Sequence, residues 1–302
     1  MKQRSFAFWP VLLATCCSSL GAIGCRPKNA TAGDTTAPSP TAFPYNLSAP
    51  AQHISLSALD LQEISGLGAT GKDQVLCAVS DEKGTVFMLD MAQNGAVLQS
   101  ISFKEKGDFE GVEWVNDTLY AVQSNGKLSE ITGWQNDATP ITRIFPLLEG
   151  EEHDIEGLAH DPVHHRLLIA FKEDPESDRV RQIWAFDLHT HTFSAKAVYT
   201  INPKDIDELL PLDNNDKQRS FSPSGVAVHP HSGDIYVVST ALKRLIILDP
   251  SNGKLKNAAR IEKDLIGQPE GIAFDKKGNL YISSEKKKEN AAIFRFAPVT
   301  SH

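Results

Sequence analysis

Five short stretches decide the fold: Ile64-Ser65-Gly66-Leu67, Phe109-Glu110-Gly111-Val112, Ile155-Glu156-Gly157-Leu158, Pro223-Ser224-Gly225-Val226 and Pro269-Glu270-Gly271-Ile272. They are copies of one pattern, and their glycines lie 45, 46, 68 and 46 residues apart. A second strand follows each copy: Val75–Ser80, Thr118–Gln123, Arg166–Phe171, Asp234–Ser239 and Asn279–Ser284. Turn signals such as Asn94-Gly95, Asn125-Gly126 and Asn252-Gly253 separate the strands. Third strands follow, as in Thr85–Asp90 and Arg244–Asp249. Four short antiparallel strands in about 45 residues make one propeller blade. A β-sandwich does not repeat its sequence at such a period. The body, residues 51–298, is therefore expected to be all-β: a five-bladed β-propeller with four antiparallel strands per blade.

The 68-residue interval is too short for a further blade and predicts an insertion over residues 202–221. Within it Asn202 reads as an N-cap and Pro203 as the first residue of a short helix. The last copy leaves room for only three strands before the chain ends. The alternating stretch His53–Ala58 is expected to supply the missing outer strand and so remove the exposed edge. Residues 299–302 are read as a tail.

Outside the body the chain changes character. Lys2 and Arg4 precede an apolar run from Phe6 to Ala14, and small residues lead to Ala22-Ile23-Gly24-Cys25. This is the layout of a cleaved export signal, residues 1–24, and it resembles a bacterial lipoprotein signal in which Cys25 is lipidated. Residues 25–50, rich in Pro, Thr, Ala and Ser, read as a tether. The expected location is the bacterial cell envelope, lipid-anchored in the periplasm or at the cell surface. Of the four cysteines only Cys77 then falls in the body, where its place in a strand suits a small buried side chain. The net charge of −8 excludes nucleic acid as the natural partner and favours cations.

The residue before each repeat glycine is expected at the mouth of the central channel: Ser65, Glu110, Glu156, Ser224 and Glu270. Three before the glycine stand Glu63, Asp108, Asp154, Ser222 and Gln268. Asp81, Glu173 and Glu285 are placed at second-strand ends near the same rim. Carboxylates gathered round one axis repel one another, and a cation removes that cost. An irregular all-oxygen set without thiolate suits calcium, which takes 6–8 oxygens, better than magnesium or zinc. The expected metal ligands are Glu63, Asp108, Glu110, Asp154, Glu156, Glu173, Glu270 and Glu285. The alternative is that these acids point outward into solvent. The pairs His164/His165, His189/His191 and His229/His231 read as surface histidines. Ser65-Gly66 and Ser224-Gly225 lack the context of a nucleophile elbow.

With Gly107-Asp108-Phe109-Glu110-Gly111, Asp154-Ile155-Glu156-Gly157-Leu158-Ala159, Phe221-Ser222-Pro223-Ser224-Gly225-Val226 and Gln268-Pro269-Glu270-Gly271-Ile272-Ala273, the chain resembles the bacterial SdiA-regulated family. The resemblance implies a propeller with an N-terminal membrane segment and a bound calcium, distantly similar to NHL-repeat propellers, which often bind proteins. It implies no settled activity. Two functions are weighed. One is an exported propeller that binds calcium at the channel mouth and serves as a ligand- or protein-binding module. The other is a metal-dependent hydrolase of lactones or phosphoesters using the same carboxylate-held ion, with the insertion as a lid.

Overall fold

The computed structural model describes residues 42–135, 139–148, 154–172, 179–213, 219–286 and 289–299. A first strand, β1 (Gln52–Ser55), precedes the repeat. Blade 1 is β2 (Ile64–Ala69), β3 (Val75–Ser80), β4 (Lys83–Asp90) and β5 (Ala96–Lys106). Blade 2 is β6 (Phe109–Val115), β7 (Thr118–Gln123), β8 (Lys127–Thr132) and β9 (Ile141–Pro146). Blade 3 is β10 (Ile155–Asp161), β11 (Arg166–Phe171) and β12 (Arg181–Asp187), with an outer strand in two short pieces, β13 (Thr192–Phe193) and β14 (Tyr199–Ile201). The helix α1 (Pro203–Leu209) follows. Blade 4 is β15 (Gly225–Val228), β16 (Ile235–Ser239), β17 (Arg244–Leu248) and β18 (Leu255–Arg260). Blade 5 is β19 (Pro269–Phe274), β20 (Leu280–Ser284) and β21 (Ala292–Phe296). Each sheet is antiparallel, so the molecule is the five-bladed propeller that the repeat predicts.

Closure follows the expected route. β1 pairs antiparallel with β21, His53 opposite Phe294, and completes blade 5 with a strand from the other end of the chain. The packed body starts earlier than the tether reading placed it. Tyr45 and Leu47 are buried in the core cluster between blades 4 and 5, and Phe43 packs against it. The Tyr45 hydroxyl donates to Gly278 O at 2.7 Å. These apolar side chains lie within the stretch assigned to the tether, so burial begins before its assigned boundary.

The repeat glycines set the diameter of the ring. A Cβ at Gly66 would stand 2.8 Å from Gly111 Cα, and one at Gly111 2.7 Å from Leu158 N. At Gly157 it would stand 2.9 Å from Val226 N, at Gly225 2.3 Å from Glu270 O, and at Gly271 2.7 Å from Leu67 N. Each glycine thus marks the place where one innermost strand presses on the next, and only hydrogen fits between them. The blade interfaces are filled by the β-branched and aromatic faces of the second and third strands. Cys77 lies in one of them, fully buried among Val79, Val112 and Leu119.

The insertion is fastened, not loose. Asn202 caps α1 by accepting from Lys204 N, as expected, and Ile206 is buried. The fully buried Arg244 of blade 4 donates to Asp207 of the helix at 2.8 Å. The fully buried Arg181 of blade 3 donates to Phe221 O and, at 2.9 Å, to Ser220 Oγ. Two interior guanidiniums thereby tie both described ends of the insertion to the seam between blades 3 and 4. No helix among the described residues is long and apolar enough to cross a membrane. Residues 1–41, with Cys25 and the expected export signal, lie outside the described residues.

Candidate functional site at the channel mouth

The register of the innermost strands explains how side chains reach the channel. In blades 1, 2 and 3 the β2–β3, β6–β7 and β10–β11 pairings each skip one residue just before the repeat glycine. Blade 5 has the same break between Pro269 and Ile272. A bulge of this kind leaves an extra residue unpaired and re-aims its side chain. The residue so placed is Ser65, Glu110, Glu156 or Glu270.

The two serines are consumed by structure. Ser65 Oγ donates to Phe109 O of the next blade, and Ser224 Oγ donates to Pro269 O at 2.8 Å. Three glutamates remain, from blades 2, 3 and 5, and they feel one another across the axis. Burial raises the pKa of the Glu110 carboxyl well above the usual range. The charges of Glu156 and Asp108 and a hydrogen bond with Asp108 push it the same way. Burial, then the charge of Glu156, takes Glu270 up to about 8, against the pull of Lys172. Glu156, 5% exposed, is also raised by burial, and the ion pair with Lys172 opposes that shift.

The residues three before the glycine form a more exposed upper tier. Glu63, Asp108 and Asp154 lie on the rim, and Asp108 accepts from Ser124 Oγ at 2.9 Å. Asp81 sits between the tiers with a carboxyl held near 6 by burial, then by Glu63 and Asp108. Its Oδ1 is buried without a hydrogen-bond partner. Glu285 accepts from the Gln268 side-chain amide. Glu63, Asp81, Glu110, Glu156, Glu270 and Glu285 together line a cavity of about 470 Å³ at this end of the channel. Of the eight expected ligands, these include five; Asp108 and Asp154 lie above them on the rim, and Glu173 falls outside the described residues. Among the described residues, no group of three or more His, Cys, Asp or Glu side chains is arranged to hold a metal ion as it stands.

One functional side chain escaped the sequence reading. The backbone N–H groups of Asp81, Ser124, Lys172 and Glu285 each donate to the carbonyl three residues before the repeat glycine, that is Glu63, Asp108, Asp154 and Gln268. These four are equivalent, so blade 3 presents Lys172 at this level. The end of the second strand at Phe171 was the signal available for that register. Lys172 is thus an internal cation within the acidic bowl, paired with Glu156 and 3.9 Å from Asp154. Lys243 adds a second positive charge that acts on Glu270. It holds φ +52° in the hairpin before β17, where the blade 2 hairpin has Gly126 at φ +84°.

The histidines play other parts. His164 pairs with Asp161 at 2.7 Å on the outside of blade 3, and His191 lies 3.4 Å from Glu130. His229 is half-buried, not a plain surface residue. Its Nδ1 accepts from Ser232 N at 3.2 Å, and its ring packs on Tyr236 and Phe274.

Solved structures similar to this chain include a glutaminyl cyclase from Myxococcus xanthus: TM-score 0.56, 14% identity, covering 83% of this chain and 97% of that one. A luciferin-regenerating enzyme aligns at TM-score 0.49 and 12% identity, covering 82% of this chain and 95% of that one. At such identities the likeness is one of fold. A family model describing SdiA-regulated proteins matches residues 45–288, which span all five repeat glycines, and the chain belongs to the SdiA-regulated family.

Proposed function

We propose that this propeller is an exported, lipid-anchored binding module whose channel mouth takes a calcium ion. The observation that carries the reading is the trio Glu110, Glu156 and Glu270, bulged toward one axis and each resisting ionisation because it is buried and faces other carboxylates. The donor chemistry fits: every acid at the mouth offers hard oxygen, and the orphaned Asp81 Oδ1 is an acceptor awaiting a partner. Glu110 and Glu270 are the ligands we assign first, with Asp108 above them. The Lys172 ammonium already neutralises part of the set, so Glu156 joins only if that ion pair loosens. The ion would supply charge neutralisation and a polar anchor for a small-molecule or protein ligand arriving from solvent.

Thermal unfolding with calcium and with a chelator tests this. At a hundred times its dissociation constant the ion adds about 2.7 kcal/mol, and superimposable melting curves would exclude the site. The anchor rests on the sequence of residues 1–25 alone. It predicts incorporation of labelled fatty acid that is lost in Cys25→Ala. The hydrolase reading has one observation in its favour: Asp81, titrating near 6, is suited to take up a proton at neutral pH. Turnover of a lactone or phosphodiester that disappears in Asp81→Asn would replace the binding reading with the catalytic one.

A further inference from the structure

We propose that the opposite mouth of the channel is a second ligand site, one that takes a small organic cation with Glu113 as its counter-charge. The repeat itself singles this residue out. Two positions after the repeat glycine the other blades carry Gly68, Ala159, Ala227 and Ala273, whereas blade 2 carries Glu113. The ring asks for almost nothing at this level: a Cβ at Gly68 would already stand 2.4 Å from Val112 O. A carboxyl here is not what closing the propeller requires.

Glu113 faces a cavity of about 480 Å³ that Trp114, His160, Val163, His229 and Phe274 also line. The backbone N–H groups of His160 and Trp114 face its carboxylate and favour its charged form without neutralising it. No Lys or Arg pairs with it among the described residues. Burial pushes the carboxyl up to about 8. The titratable groups around it do not supply the missing charge. Burial pushes the Cys77 thiol up and the His160 and His229 imidazoles down, so all three are neutral at pH 7. His231, Asp275 and Lys276 lie at the lip, where Lys276 donates to Gly71 O at 2.7 Å.

The walls narrow the class of ligand. Aromatic faces beside a buried carboxylate favour an ammonium group that carries apolar substituents. The Lys72 ammonium lies 5.9 Å from the Trp114 ring centroid, so this ring already meets a cation. Val163, 74% exposed, offers an apolar lip. A metal ion is disfavoured, because the Asp275 carboxylate already accepts from Lys277 N, Asn279 and the Tyr281 hydroxyl, which leaves Glu113 to supply the anionic oxygen, and His229 Nδ1 is engaged within its own turn. An anion finds no positive partner at Glu113 and is repelled by its ionised form.

Isothermal titration of the full chain with choline, and with its uncharged isostere 3,3-dimethylbutan-1-ol, tests the site. Choline is expected to bind saturably and at least about tenfold more tightly than the isostere, a difference of about 1.4 kcal/mol. It should also release protons, read as a heat that depends on the buffer. Glu113→Ala installs the residue that blades 3, 4 and 5 carry, and should abolish binding while leaving the melting temperature in place. Glu113→Gln keeps the backbone acceptor without the charge, and should abolish binding as well. Equal binding of the isostere, no saturable binding of choline, or binding that survives in Glu113→Gln would each overturn the proposal. The last result, with Glu113→Ala unfolded, would make Glu113 a strut between blades 2 and 3.

Discussion

The two mouths of the channel are made from the two ends of the same five strands, yet they differ in kind. At the first mouth the side chain before the repeat glycine is turned inward by a bulge in blades 1, 2, 3 and 5, so that three glutamates and a lysine share one space. At the second mouth the ladders are regular, the positions two after the repeat glycine are Gly or Ala in four blades, and Glu113 alone breaks that pattern. Repetition therefore concentrates charge at one end, and a break in the repetition places it at the other. A symmetric ring brings equivalent positions together whether or not their charges agree, and disagreement is stable only if protons, an internal ammonium or a bound cation absorb it.

The contrast is broken most severely through glycine. Gly225→Ala would drive its Cβ against Glu270 O beneath the acidic mouth, and should cost about 3 kcal/mol. Gly71→Ala, at the far mouth, meets nothing within 4 Å and should shift the urea midpoint by less than about 0.5 kcal/mol in free energy. Equal losses would mean that the glycine contacts do not set the ring diameter.

Next in size is the pH dependence of the metal-free protein. The folded state holds the Glu270 proton more tightly than the unfolded chain does. The stability this contributes is full below about pH 4.5 and is lost as the pH rises towards about 8. Denaturation at pH 5 and pH 8 should reveal a decline of which Glu270→Gln removes on the order of 2 kcal/mol; Glu110, Glu156 and the histidines are common to both proteins and account for what remains. A smaller effect is expected of Lys172→Met. It strips the buried Glu156 of its ion-pair partner and should cost roughly 1–2 kcal/mol. That is less than a fully interior pair would lose, because 39% of the lysine side chain is in solvent. Calcium should restore the loss, which a chelator series would follow. The smallest change is a gain: Lys243→Gly relieves a left-handed backbone and should add about 1 kcal/mol, readable as a higher melting temperature. Were it neutral or destabilising, the Lys243 contacts would outweigh the strain.

Much of this architecture was legible from residues alone, because periodic sequence imposes periodic structure. Blade count, strand order within a blade, the Asn202-capped helix and the closing strand near His53 all follow from patterns of a few residues. Tyr45 and Leu47 were misjudged because composition averages over a window, whereas burial is decided residue by residue. Lys172 went unnoticed because the level a side chain occupies just past the end of a strand has no signature in the strand itself. The serines at 65 and 224 looked equivalent to the glutamates, yet they lock neighbouring blades together.

Local chemistry written along the chain was enough to establish five modules, their closure and the supply of acidic oxygen. Which oxygens face one another, where an ammonium enters among them, and that Glu113 lies at the floor of a cavity depend on the bulges and on the ring diameter. Those arise only when strands from all five blades pack about one axis, a long-range condition that no single stretch of sequence contains.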